Sequence, residues 1–266
     1  MTAADGSAVV VKVYTDFRGE AAFGNMAVLW LSSFGQGRRP PGLPRPLEYL
    51  PLPGEGVGAL VMERVEGRTL LELGTPEEHL ESAMRLAVDL HRSGVAAPRL
   101  RSAKKLVRSV ERKAERVAAL APSFGPDLAR VAEALEANRP QDAELVPCHG
   151  DFSPRNVLVG KARHALIDWD RLQLADPARD VAYFGAWCWA QGLRSGLDDW
   201  RVLDCAVRTY GVLRPEVELA PRLGFHIAAA LARIAHGLVE LWPAEARVVP
   251  RITAEALRRL ACESRS

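Results

Sequence analysis

Asp151, Asn156 and Asp168 are the residues of this chain whose types and spacing are suited to chemistry. The first two stand in Cys148-His149-Gly150-Asp151-Phe152-Ser153-Pro154-Arg155-Asn156-Val157-Leu158-Val159, the third in Leu166-Ile167-Asp168-Trp169-Asp170. Two carboxylates and an amide oxygen are hard donors, able to take up a proton or hold a divalent cation. Between them lie two short β-type segments, 156–159 and 164–168, separated by Gly160-Lys161-Ala162-Arg163. Apolar segments this short, joined by a glycine-bearing link, predict a hairpin. Such a hairpin returns Asp168 to the side of the loop that carries Asp151 and Asn156.

Phosphoryl transfer to a hydroxyl needs this set of groups. A carboxylate must orient the attacking hydroxyl and accept its proton, while oxygen ligands hold Mg²⁺ on the nucleotide phosphates. Protein kinases use a catalytic-loop Asp, an Asn five residues on, and a later Asp after a strand. Asp151 and Asn156 keep that five-residue spacing, and Asp168 follows twelve residues after Asn156. A single Asp or Asn is more often a turn former, and it is the joint order and spacing that overrides this reading. His-Gly-Asp, four residues, Asn, Ile-Asp-Trp and then Asp176-Pro177-Ala178-Arg179-Asp180 together resemble the aminoglycoside phosphotransferase and choline kinase family of small-molecule kinases.

The resemblance implies an α+β, protein-kinase-like fold of two lobes. A small, N-terminally shortened β-rich nucleotide-binding lobe would span 1–66, and a larger, mainly helical lobe with catalytic loop and acceptor pocket would span 67–266. It further implies that Asp151 is the catalytic carboxylate and that Asn156 and Asp168 hold Mg²⁺. Lys12 would contact the phosphates of ATP or GTP and pair with a helix glutamate. Glu20 is the candidate, as the one carboxylate of the helical stretch 18–33. The segment Ala59-Leu60-Val61-Met62-Glu63-Arg64-Val65-Glu66-Gly67 resembles the interlobe hinge, where the carbonyl of Glu63 and the N–H of Val65 would hold adenine. His149 would orient the catalytic loop and Asp180 would brace it. Aromatic residues of the C-terminal third, most of them core, could face a quaternary ammonium or sugar ring, and Asp198, Asp199 and Asp204 could attract amines.

The elements that must position these groups are legible in part. Ala8 to Tyr14 reads as a β-branched strand that Lys12 interrupts, and a strand lysine is unusual unless paired. Kinases of this type place two strands and a glycine-rich loop before the lysine strand. Eleven residues precede Lys12, so that loop is expected to be missing. Gly54-Glu55-Gly56-Val57-Gly58 resembles a phosphate loop, but it falls between strand-like segments and predicts a hairpin turn. Thr75, Pro76 and Glu78 mark a helix start, and Leu80, Ala83, Met84, Ala87 and Leu90 follow at helical spacing up to Gly94. Further helices are predicted over 102–120 and 126–138, and Ile227, Leu231, Ile234, Leu238 and Leu241 form a helical stripe. Gly24 and Asn25 interrupt the helical pattern of 18–33.

Bulk properties exclude several classes. A chain of 266 residues is long enough to bury roughly 70–75% of its unfolded surface. A net charge of +2 gives no global field for nucleic acid or membrane. The basic run Lys104, Lys105, Arg108, Arg112, Lys113 and Arg116 is diluted by Glu111 and Glu115 and reads as a solvated face. Four separated cysteines suggest neither zinc nor a disulfide framework. No secretory signal or membrane span is expected, and a reducing cytoplasm is the default compartment.

Two departures from protein kinases favour a small acceptor. Ser153 stands where Ser/Thr kinases usually carry lysine, and seven residues separate Asp168 from Asp176, too few for an activation segment. The expected function is therefore ATP-dependent phosphorylation of a small-molecule hydroxyl, on an aminoglycoside or a related amino sugar or amino alcohol. Alternatives are a nucleotide-binding kinase-fold protein with little turnover, and a phosphoester hydrolase built on His149, Asp151, Asp168 and Asp170.

Overall fold

The computed structural model describes residues 8–75, 77–141 and 144–263. The chain forms two compact units, residues 1–100 with 146–174 and residues 101–145 with 175–266. The lobe boundary expected at 66/67 falls within the first unit.

The first unit opens with β1 (Val9–Thr15), then α1 (Arg18–Trp30), β2 (Pro46–Pro51) and β3 (Val57–Glu63). The strands form one antiparallel sheet in the order β1-β3-β2, with Lys12 opposite Leu60 and Tyr14 opposite Gly58. Leu60 and Tyr14 are buried, so the face carrying Lys12 is the inward one. The Gly54–Gly58 segment is the β2–β3 turn, as predicted. Leu52 N–H donates to the Val57 carbonyl, and Gly54 and Gly56 take positive φ. Gly24 and Asn25 do not end α1. Asn25 is buried, and its amide donates to the Trp169 carbonyl at 2.8 Å, so a polar residue inside the helix is satisfied by tertiary contact.

The unit continues with β4 (Arg68–Thr69) and α2 (Glu77–His91). Pro76, expected at the start of α2, lies outside the described residues. Leu80, Ala83, Met84, Ala87 and Leu90 are all buried, as their spacing predicts. The chain passes to the second unit after β5 begins (Leu100–Arg101) and returns at β6 (Val146–Cys148). The predicted hairpin follows as β7 (Val157–Val159) and β8 (His164–Leu166), with Val157 opposite Leu166 and Val159 opposite His164. β4 pairs with the outer side of β7, and β9 (Gln173–Ala175) leads out of the unit.

The second unit is helical among its described residues: α3 (Ala103–Leu120), α4 (Gly125–Ala137), α5 (Ala178–Arg194), α6 (Arg201–Leu213), α7 (Ala220–Leu241) and α8 (Val249–Glu263). Ser102 caps α3 by accepting from the Lys105 N–H. Helices α5 and α7 supply most of the core, with Phe184, Phe225, Leu231 and Ala228 fully buried. Of the α7 stripe, Ile227, Leu231 and Leu238 are buried and Ile234 is half-buried, whereas Leu241 is exposed at the helix end. Among the described residues no helix is long and apolar enough to cross a membrane.

Candidate functional site

Backbone constraints come first. Gly150 has φ +76°, a region open to glycine at little cost. A Cβ there would stand 2.4 Å from the Arg171 carbonyl oxygen and 2.6 Å from Gln173 Nε2. The glycine of His-Gly-Asp is therefore required by close backbone approach as well as by conformation. Asp168 has φ 69° and ψ 68°, a left-handed conformation that Asp tolerates better than most residues. Strain of this kind persists where the surroundings hold it and clusters at functional positions.

Hydrogen bonds then tie the segments together. The Asn156 amide donates to the Asp151 carbonyl at 2.9 Å, and the Ile167 N–H donates to the Asn156 carbonyl at 3.0 Å. His149 bridges the same two segments. Its Nδ1 accepts from the Asp151 N–H at 3.3 Å, and its Nε2 lies 2.9 Å from the Ile167 carbonyl. A ring that accepts at Nδ1 carries its proton on Nε2, which makes Nε2 the donor to Ile167. The ring is fully buried and packs 4.6 Å from Trp169, which in turn meets Phe34 edge-on at 5.7 Å. His149 thus links the Asp151 backbone to Ile167.

Lys12 reaches the site from β1. Its Nζ lies 2.7 Å from Asp168 Oδ1 and 3.1 Å from Asp170 Oδ1, and the Tyr14 hydroxyl donates to Asp170 Oδ1 at 2.6 Å. Burial opposes the lysine charge, but bonds to Asp168 and Tyr14 and the charges of both acids raise its pKa overall. Burial and the bond to Asp170 push the Tyr14 phenol up as well. The pairing expected between Lys12 and Glu20 is corrected: Glu20 is exposed and forms no ion pair among the described residues. α1 turns Gly19, Ala22, Asn25, Met26 and Leu29 inward, which leaves Glu20 on the solvent side.

Asp151 is 4% exposed, and Arg155 Nη2 donates to its Oδ2 at 2.8 Å. Arg155, Tyr14 and Asn25 were not singled out by sequence reasoning as members of this cluster, and Asp170 entered only in the hydrolase alternative. Arg155 carried a signal, standing four residues after Asp151, the spacing at which side chains meet across one turn. Tyr14 and Asp170 likewise flank known members at two-residue spacing.

Oxygen donors suited to Mg²⁺ remain. Asn156 spends its amide nitrogen on Asp151, which leaves its carbonyl oxygen, and Asp168 Oδ2 has no partner among the described residues. An amide oxygen and a carboxylate oxygen fit a hard divalent cation. At the candidate hinge, Glu63 ends β3, and Arg163 pairs with its carboxylate at 2.6 Å. Glu63 and Val65 border a cavity of about 850 Å³ within the first unit.

Asp180 lies in the second unit, 1% exposed in the first turn of α5. Asp176, just before that helix, accepts from the Ala178 N–H at 2.9 Å. Arg222 of α7 donates to its other oxygen at 2.6 Å. Burial alone would raise the Asp176 carboxyl, but His226, the Ala178 N–H and Arg222 hold it at about 2. Asp198 accepts from Trp189 Nε1 and Arg251, and Asp199 caps α6 through the Arg201 N–H. Trp200 stacks on Trp189 at 4.9 Å and lies under the Arg259 guanidinium. These acids and rings, candidates for holding an amine, are engaged within their own unit.

Residues 2–215 match the family model described as "Phosphotransferase enzyme family". An aminoglycoside 3'-phosphotransferase of Streptomyces ribosidificus is 45% identical over 51 residues, which span 18% of this chain and 19% of that protein's length. A thermostable mutant of aminoglycoside phosphotransferase APH(4)-Ia, solved with ADP and hygromycin B, superposes with a TM-score of 0.69 at 18% identity. That match covers 96% of this chain and 87% of the other. A choline/ethanolamine kinase family protein from Mesorhizobium loti gives 0.67 at 17% identity, over 98% and 88% of the two chains. At such identities the likeness establishes the fold, the kinase-like α+β architecture expected from the motifs.

Proposed function

The chain belongs to the phosphotransferase enzyme family, and from that premise we propose that it transfers the terminal phosphoryl group of ATP or GTP to a hydroxyl of a small molecule. The acceptor class that suits it best is an aminoglycoside or a related amino sugar or amino alcohol, the class bound by its structural neighbour with hygromycin B. The single observation that carries the reading is the hydrogen-bonded closure of the Asp151–Asn156 loop onto Ile167–Asp168, with Lys12 on Asp168.

In this reading the Asp151 carboxylate orients the acceptor hydroxyl and takes its proton. The hydroxyl oxygen forms the new bond to phosphorus, and the bond to the bridging oxygen breaks, leaving the nucleoside diphosphate. Arg155 keeps the Asp151 carboxylate in one orientation. Lys12 supplies positive charge to the nucleotide phosphates, and the backbone at Glu63 and Val65 receives the base. Asn156 and Asp168 would hold Mg²⁺, which when bound neutralises charge on the phosphates. Positioning and charge neutralisation account for most of the acceleration in such chemistry. Residues 1–66 then carry the nucleotide contacts and 67–266 the catalytic loop and acceptor contacts, in a cytoplasmic enzyme.

The test is turnover of Mg²⁺-ATP and Mg²⁺-GTP against a panel of aminoglycosides and amino alcohols. Phosphorylated product that falls by about a thousandfold in Asp151→Asn, with nucleotide binding kept, is the expected result. A second reading, a nucleotide binder with little turnover, is favoured by the commitment of Lys12 to Asp168 and Asp170. Thermal stabilisation by nucleotide without any Asp151-dependent product would select it. Phosphate release from a monoester in the absence of nucleotide would instead support a hydrolase.

A further inference from the structure

Lys104, Arg108, Glu111 and Glu115 of α3 are spaced four, three and four residues apart, which puts all four on one stripe of the helix. All four are exposed, and none has an ion-pair partner among the described residues. The stripe reads plus, plus, minus, minus. Its acidic half adjoins a groove between α3 and α4 of about 950 Å³. Glu133 and Glu136 of α4 complete the acidic rim, and Ala118 and Ala129 belong to its apolar lining. The groove is shallow-walled because the helices meet on small residues; a Cβ at Gly125 would stand 2.7 Å from the Ala118 Cβ. Among the described residues that line it none is cationic, although Arg139 pairs with Glu136 at 3.5 Å at its edge.

We propose that the α3 stripe and this groove form a two-fold interface between two copies of the chain, with the helices antiparallel. A two-fold axis between Arg108 and Glu111 places Lys104 against the partner's Glu115 and Arg108 against the partner's Glu111, twice over. The span from residue 104 to 115 is about 16 Å of helix, and the same charges serve both halves, as an isologous contact requires. The aliphatic stems of Lys104 and Arg108 lie along the alanine floor while their cationic heads meet the glutamate rim. A second copy is the occupant that the charge order selects, because the pattern is complementary to its own reverse. Exposed ion pairs are individually weak and screened by salt, so the dimer is reversible and salt-sensitive. The interface is independent of the catalytic reading.

Sedimentation velocity and light scattering on the full chain test it. Wild type is expected to dimerise reversibly at up to several hundred micromolar in low salt, and to dissociate in high salt. Lys104→Glu with Arg108→Glu, or Glu111→Lys with Glu115→Lys, should each weaken association by roughly a hundredfold. The chain carrying all four changes restores a self-complementary order and should dimerise again, and an equimolar mixture of the two double variants should form a heterodimer. Circular dichroism on each variant checks that the fold is kept. A wild type that stays monomeric throughout overturns the proposal, and so does a dimer that survives both double changes.

Discussion

Lys12 Nζ lies 2.7 Å from Asp168 Oδ1 and 3.1 Å from Asp170 Oδ1, so one strand cation joins two acids that stand on either side of Trp169. Because both carboxylates converge on one ammonium, removing it leaves two like charges facing each other. Lys12→Met should therefore lower kcat/KM for nucleotide by about a hundredfold to a thousandfold, the order seen when a preorganised charge is lost. Steady-state kinetics with nucleotide as the varied substrate measures this, and an unchanged kcat/KM would remove Lys12 from the site.

Tyr14 holds the same pair from the side. Its hydroxyl donates to Asp170 at 2.6 Å from a buried ring. Tyr14→Phe keeps the ring and deletes that bond, which should destabilise the chain by about 1.5–3 kcal/mol, the usual size for a hydrogen bond to a charged group. Urea denaturation reads the change, and no shift in the midpoint would mean that water replaces the phenol without loss.

Arg155 and Asp151 form a comparable pair on the loop itself, 2.8 Å apart, with the acid buried and the arginine partly open to solvent. Taking away one partner leaves the other charge uncompensated. Arg155→Ala should cut kcat by about tenfold to a hundredfold with little change in nucleotide KM. Arg155→Lys, which keeps the charge but not the planar fork, should recover part of the loss. An Arg155→Ala enzyme with full kcat would show that the arginine does not orient the carboxylate.

Much of this cluster was legible because its members are close in sequence. The hairpin at 157–166 follows from two short apolar segments and a glycine link, and its register alone returns Asp168 to Asn156. What the sequence hid was long-range. The residues on which Lys12 closes lie 156 and 158 positions away, and nothing local distinguishes them from Glu20, which a helix adjoining the strand offers first. Only the direction in which α1 turns its buried face separates the two. Asn25 was hidden in the same way, since a polar residue in a helix looks like an interruption until a carbonyl 144 positions on is seen to accept from it. The aromatic and acidic residues of the C-terminal third are equally suggestive in sequence, yet stacking and pairing within their own unit engage Trp200, Asp198 and Asp199.

Acid should weaken the second unit in two stages. Asp176 is held at about 2, well below an ordinary carboxylate, and burial keeps the His226 imidazole below its usual range, with Arg179 and Arg222 adding to that and Asp176 opposing it. His226 Nε2 is 3.2 Å from Asp176 Oδ2, close enough for the two groups to couple. In both cases the unfolded chain takes up the proton first, at about pH 6.5 for the imidazole and about 3.9 for the carboxyl. Stability therefore rises with pH across both ranges. On acidification the His226 share is lost first, below about pH 6.5, and the Asp176 share follows as pH falls from about 4 towards 2. Asp176→Asn removes the second share and leaves Arg222 without its carboxylate. That variant should be less stable near neutrality by about 3–5 kcal/mol, the range for breaking a buried ion pair, and its stability should change less between about pH 4 and pH 2. Urea unfolding at a series of pH values decides it: equal acid slopes in wild type and Asp176→Asn would show that this carboxylate does not govern the loss.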